Sequence, residues 1–124
     1  MKFSPRDFFK ELEYLGEFES VRQIYYVYKK NHDFILVTLS KSRLDSLNVS
    51  FISGKCVEYV VDRFKRKIID RKDVERQNTH IFGNHREKSF KILNTFYVLC
   101  VLGLAEKTNE LEKSTMKFRI GEKG

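Results

Sequence analysis

A chain of 124 residues with 41% hydrophobic content, including eleven Phe and six Tyr, has enough apolar material for one domain or two very small ones. One proline argues against long disordered linkers, and the formal charge of +7 directs attention to anionic partners. Cys56 and Cys100 lie far apart without CxxC spacing, so they read as buried free thiols rather than as a disulfide or a zinc pair.

Ser4 and Pro5 mark a helix start, with Asp7 in its first turn; Phe8, Phe9, Leu12 and Leu15 share one face and Gly16 ends the helix, which predicts a helix over residues 5–15. Residues 21–28 are β-branched and aromatic and read as a strand. After a turn at Asn31, His32 and Asp33, residues 34–39 form a second strand, apolar on both faces. Leu47, Val49 and Phe51 alternate with Asn48 and Ser50, which predicts a third strand with one wet face. Residues 1–52 are thus expected to be an N-terminal subdomain of one helix and a three-stranded antiparallel sheet.

Ser53 caps the next helix, over residues 55–64, in which Val57, Val60, Val61 and Phe64 make a buried stripe. Ile68 and Ile69 form a short strand. Asp70 and Asp73 then cap a helix over residues 71–77. A long helix is expected from about residue 84 or 85; Phe90, Leu93, Phe96, Leu99 and Leu102 lie near one stripe, and its second half is apolar all round. Such a helix needs cover on more than one side. The N-terminal layer, or a second copy of the chain in a homodimer through residues 96–102, would supply it. A polar hairpin closes the chain at Phe118, Arg119 and Ile120.

The order from residue 54 to residue 120, three helices with a Leu-Gly-Leu-Ala junction and then a β-ribbon, resembles the winged-helix DNA-binding superfamily. One departure is the long segment over residues 78–84, where most members have a tight turn. Together with the N-terminal helix and small antiparallel sheet read above, the resemblance leads to the expectation of an α+β protein in which that layer packs on a C-terminal winged-helix domain at residues 53–124. It also implies that the third helix enters the major groove while the ribbon touches the backbone. The partner expected is nucleic acid, double-stranded DNA above all, and the role a non-enzymatic regulator of transcription needing no cofactor and no metal.

The charge is placed accordingly. Residues 1–52 carry eight basic and seven acidic side chains, whereas residues 63–91 carry ten basic and four acidic. On the third helix Arg86, Lys88, Ser89, Lys91 and Asn94 are the residue types that read base edges. Arg63, Lys65, Arg66, Lys67, Arg71, Lys72 and Arg76 suit phosphate contacts that position without specifying, as do Lys113 and Lys117 on the ribbon beside Lys107 and Arg119. Glu106, Glu110 and Glu112 interleave with the ribbon cations, which makes the wing secondary.

Other chemistries are weaker in the sequence. Asp33 followed by Thr38, Leu39, Ser40 and Lys41 faintly resembles a restriction-type nuclease layout, but a second acid is missing from it. A degenerate relative or the DNA-reading part of such a system is therefore the alternative it leaves, rather than an active nuclease. Tyr25, Tyr26 and Tyr28 beside Lys29 and Lys30 suit base stacking, though strand tyrosines more often pack. His32, His80 and His85 lack ligand spacing, and the common nucleotide and hydrolase motifs do not occur. A protein-interaction adaptor built on the same winged-helix body is the main competing expectation. The longest uncharged run, residues 92–105, is too short for a span of ~20 residues, so a cytoplasmic chain without a membrane partner is expected.

Overall fold

The computed structural model describes residues 4–42, 46–84, 86–108 and 116–122. Its architecture is α+β. A short helix α1 (Pro5–Phe8) precedes strands β1 (Glu13–Glu19), β2 (Gln23–Lys30), β3 (Asp33–Ser40) and β4 (Leu47–Ile52), which form an antiparallel sheet in the order β1-β2-β3-β4. Helix α2 (Gly54–Arg63), strand β5 (Ile68–Ile69), helices α3 (Arg71–Glu75) and α4 (Lys88–Val101), and strands β6 (Ala105–Lys107) and β7 (Phe118–Ile120) follow. The last strands build a small antiparallel sheet in the order β5-β7-β6. No helix among the described residues is long and apolar enough to cross a membrane.

The N-terminal sheet has four strands rather than the three expected, because the helix predicted to residue 15 ends at Phe8. An isolated helix of that length is marginal in water. As β1, the same segment pairs with β2 from Glu13 to Glu19. It also turns Leu15 and Phe18 onto the main core. Gly16 is therefore not a helix stop. It sits beside a bulge in β1 with φ of 145°, and a Cβ there would lie 3.2 Å from Val101 Cγ1, so the missing side chain lets α4 approach. β2 begins two residues later than expected, since Ser20 and Gln23 close the hairpin through Ser20 N–H to the Gln23 carbonyl at 2.8 Å.

The caps of the C-terminal half follow the sequence closely. Ser53 Oγ accepts from Lys55 N–H at 3.2 Å, and Asp70 and Asp73 exchange the two bonds of a capping box. Gly54 has a tertiary reason to be glycine. A Cβ there would fall 2.0 Å from the His32 carbonyl oxygen, while Gly54 N–H donates to Asp33 Oδ1 at 3.0 Å, so the β2–β3 turn is seated directly on the start of α2.

α4 is the central element. Ile92, Thr95, Phe96, Tyr97, Val98 and Leu99 are all buried. On one side lie α2, β7 and Val74 of α3; on the other lie Val27, Leu36 and Phe34 from the sheet, all in one continuous core. Tyr97 stacks on Tyr25 at 4.2 Å and on Phe18 at 4.7 Å between ring centroids, while Phe96 meets Phe118 at 4.7 Å. The two-sided cover is intramolecular, so burial of residues 96–99 does not require a second chain. Phe90 departs from the expected stripe and is 71% exposed.

A second apolar cluster occupies the other face of the sheet, with Tyr28, Ile35 and Val37 under Phe9 and Leu12. Tyr28 Oη donates to the Pro5 carbonyl at 2.7 Å, which ties the chain start to that face.

Leu99→Ala is expected to cost about 2–5 kcal/mol in chemical denaturation, because α4 is held on both sides and the site cannot collapse. Alkali is expected to unfold the protein cooperatively. Burial pushes the Cys100 thiol from 9.0 up to about 12 and the Tyr28 hydroxyl from 10.0 up to about 12, and it raises Tyr97 further. The fold favours the neutral forms, so their contribution is complete below about pH 9 and is lost as pH rises toward 12. Tyrosinate absorbance followed beside far-UV dichroism checks this: Tyr28 and Tyr97 should ionise only as the dichroism collapses.

Candidate nucleic-acid interface

The cations after α2 are placed by a tight turn. Arg66 takes φ of 62°, and the segment is clamped to β7 by Arg66 N–H to the Ile120 carbonyl at 3.1 Å and Ile120 N–H to the Lys67 carbonyl at 2.9 Å. Lys65, Arg66 and Lys67 are exposed as a result. Lys67 and Arg76 line one shallow cleft with Ile68 and Gln77, and Arg63 reaches the same Gln77, donating to its Oε1 from Nε at 3.1 Å and Nη2 at 3.0 Å. An amide partner leaves the Arg63 charge in place.

Other members of the set are already neutralised. Arg76 Nη1 donates to Asp73 Oδ1 at 2.8 Å, and Arg66 pairs with Glu122. Arg71 is the most engaged. Its Nη1 donates to Ser89 Oγ at 2.9 Å and lies 3.4 Å from Glu75 Oε1, and Ser89 in turn donates to Glu75. This triad fastens α3 to α4. Arg63, Lys65, Lys67 and Lys72, which follow one another along the end of α2, the turn and α3, remain without an acidic partner in an ion pair among the described residues.

The expected base-reading residues are not presented as one row. Ser89 is held inside the α3–α4 triad. Lys88 and Lys91 are half-buried, and the methylenes of Lys91 pass 3.7 Å from where a Cβ on Gly83 would be. Arg86 lies ahead of the helix. With Asn94 it lines a groove against Val49 and Phe51 of β4, so the edge of the N-terminal sheet stands beside the face of α4 that a major groove would have to receive. Further along, Tyr97 and Val98 of α4 are buried, Tyr97 against Tyr25 and Phe18 of the sheet.

On the ribbon, Arg119 Nη1 donates to Glu106 Oε1 at 2.8 Å, and Lys107 is exposed. Lys117 is half-buried where its carbonyl accepts from Thr108 N–H at 2.9 Å. Lys113, Glu110 and Glu112 lie outside the described residues, as does His85.

The weaker chemistries meet physical obstacles. Asp33 and Lys41 sit at opposite ends of β3, which at eight residues separates them by roughly 25 Å, and each is engaged where it stands, Asp33 by Gly54 and Lys41 by Glu19. The nuclease layout is therefore not assembled. Tyr25 and Tyr28 are packing residues, stacked on Tyr97 and bonded to Pro5, and Tyr26 is buried. Burial raises the Cys56 thiol above 9.0, and the Cys100 thiol too, so neither is set up as a nucleophile. No group of three or more His, Cys, Asp and Glu among the described residues is placed to hold a metal ion.

Sequence reasoning missed the exposed apolar side chains of this region. Val49, Phe51 and Phe90 are 43%, 63% and 71% exposed. The alternation in residues 47–51 was legible, but the face carrying Leu47, Val49 and Phe51 is the open one, while Ser50 on the opposite face is half-buried. The signal available was the absence of charge on a strand at the edge of the sheet.

Ser89→Ala is expected to cost about 1–2 kcal/mol in stability, since it removes a hydrogen bond that a charged group receives. In a double-mutant cycle with Arg71→Ala the two losses should be less than additive. Full additivity would show that the triad does not act as a unit.

Compared with protein-family models, with curated proteins and with solved structures, the chain matches no family, no curated protein and no solved structure.

Proposed function

We propose that this chain is a winged-helix nucleic-acid-binding protein that holds duplex DNA through its phosphates and carries no enzymatic activity of its own. The observation that carries the reading is the run of Arg63, Lys65, Lys67 and Lys72 on the end of α2, the following turn and α3, with no acidic partner in an ion pair among the described residues. The element order supports it: α2, α3 and α4 are followed by a paired ribbon, and β5 joins that ribbon to make a three-stranded sheet.

Burial of α4 and engagement of Ser89 turn the reading away from base recognition by the third helix and toward backbone contact. Affinity then comes from counterion release and depends little on sequence. A regulator of this kind takes its address from a partner, which is why the adaptor reading stays beside the first. The exposed apolar groove at Phe51 and Phe90 favours that second role.

Binding to random duplex should weaken with salt along a slope of log affinity against log salt of about −3 to −4, as four phosphate contacts predict. The double variant Lys65→Ala, Lys67→Ala should lower the slope by about two, and the control Lys29→Ala, Lys30→Ala should not change it. Fluorescence anisotropy over a salt series measures both. Absence of binding at low salt, or equal effects of the two double variants, would exclude this interface.

A further inference from the structure

The two edges of the N-terminal sheet are built differently. β1 carries Glu13, Glu17 and Glu19 and is broken by the irregularity between Tyr14 and Gly16, devices that blunt an edge against pairing. β4 has neither. From Leu47 to Ile52 it contains no charge and no proline, and its register with β3 runs unbroken over six pairs. Among the described residues no strand pairs with its other edge.

That edge is one wall of a groove. The opposite wall is the start of α4, and the space between them is about 540 Å³. Val49, Ser50 and Phe51 line it from the strand edge and Phe90 from the helix. By register Val49 and Phe51 project on the sheet face of Val37 and Ile35, away from α4, while Ser50 is on the helix side. Arg86, Glu87 and Lys91 add one net positive charge. An extended strand fits this combination: backbone N–H and C=O groups for the ladder, apolar surface for alternate side chains, and cations for a carboxylate.

We propose that the β4–α4 groove binds an extended segment of a partner protein, added as a fifth strand on β4, with apolar side chains at alternate positions and acidic residues between them. Charge selects this occupant. A second copy of the chain would bring its own Arg86 and Lys91 to the groove, on a body of formal charge +7, so like charges would meet. An acidic strand meets opposite charge instead. Nucleic acid finds cations here too, but an apolar wall and an uncharged backbone edge give phosphates little to pair with. The site is separate from the cations after α2, so it stands or falls independently of duplex binding.

The test uses the full chain and a fluorescein-labelled peptide, Asp-Val-Thr-Val-Glu-Ile, read by anisotropy. Saturable binding is expected, reduced at least about tenfold by Phe51→Ala or Phe90→Ala, as truncation of an aromatic anchor does. Both side chains are exposed, so the fold should be retained. Val49→Lys should abolish binding, and a peptide with Lys in place of its acids should bind much more weakly. Lys65→Ala with Lys67→Ala should leave peptide affinity unchanged. Strand addition uses only alternate peptide N–H groups, so N-methylation of one alternate set should abolish binding and of the other should be tolerated. Equal effects of the two sets would overturn strand addition. Displacement of the peptide by random duplex from the Lys65→Ala, Lys67→Ala variant would assign the groove to nucleic acid. Self-association lost on Val49→Lys, with no peptide bound, would assign it to a second copy.

Discussion

Helix α4 has no solvent side from Thr95 to Leu99, and most of the molecule is arranged around that fact. Tyr97 is held between the sheet aromatics Tyr25 and Phe18, while Phe96 on the neighbouring face meets Phe118 of the ribbon. Stacked and tilted ring pairs of this kind each contribute about 0.5–1.5 kcal/mol beyond their buried area. They also fix the angle at which the sheet sits on the helix. The cost falls on function: a helix in the third position of the chain's helical run, whose sequence suits groove insertion, gives up most of its surface to packing.

How far the chain could be read in advance depends on whether the deciding forces were local. The caps at Ser53 and Asp70 rest on neighbours in sequence and were legible. The closing ribbon and the short strand at Ile68 and Ile69 were read from their residue types, although β5 finds its partners Phe118 and Arg119 far along the chain. The segment at residues 9–19 was not legible. Its apolar spacing fits a helix, and only the pairing with β2 and the close approach of Val101 to Gly16 make it a strand. Gly54 is of the same kind, because the His32 carbonyl that excludes a Cβ comes from another hairpin. Among the candidate site residues, cation identities were legible and their partners were not. Nothing in the order of residues announces that Ser89 bonds Arg71 or that Arg66 pairs with Glu122.

The electrostatics follow from those partners rather than from the count of charges. Of the seven basic side chains between Arg63 and Arg76, three are engaged by carboxylates among the described residues. Surface pairs of this sort contribute little to stability, about 0–1 kcal/mol each. Their larger effect is on the field, since a paired cation releases fewer counterions on meeting a phosphate. The remaining four are therefore the effective charge of this face, and they sit where the β7 clamp prevents the turn from moving away.

The open edge at β4 sharpens the question of why the sheet would keep it. An uncharged, unbroken edge strand with exposed Val49 and Phe51 is an aggregation hazard, and β1 shows that this chain has the means to blunt an edge. Blunting β4 would take one substitution, a lysine at Val49, with no buried group to displace. Phe90 and Arg86 stand beside that edge in one groove, so anything that pairs with β4 must also meet the start of α4. If the edge is kept for a partner strand, as proposed, solubility is given up for specificity there, and the cations after α2 remain a separate surface.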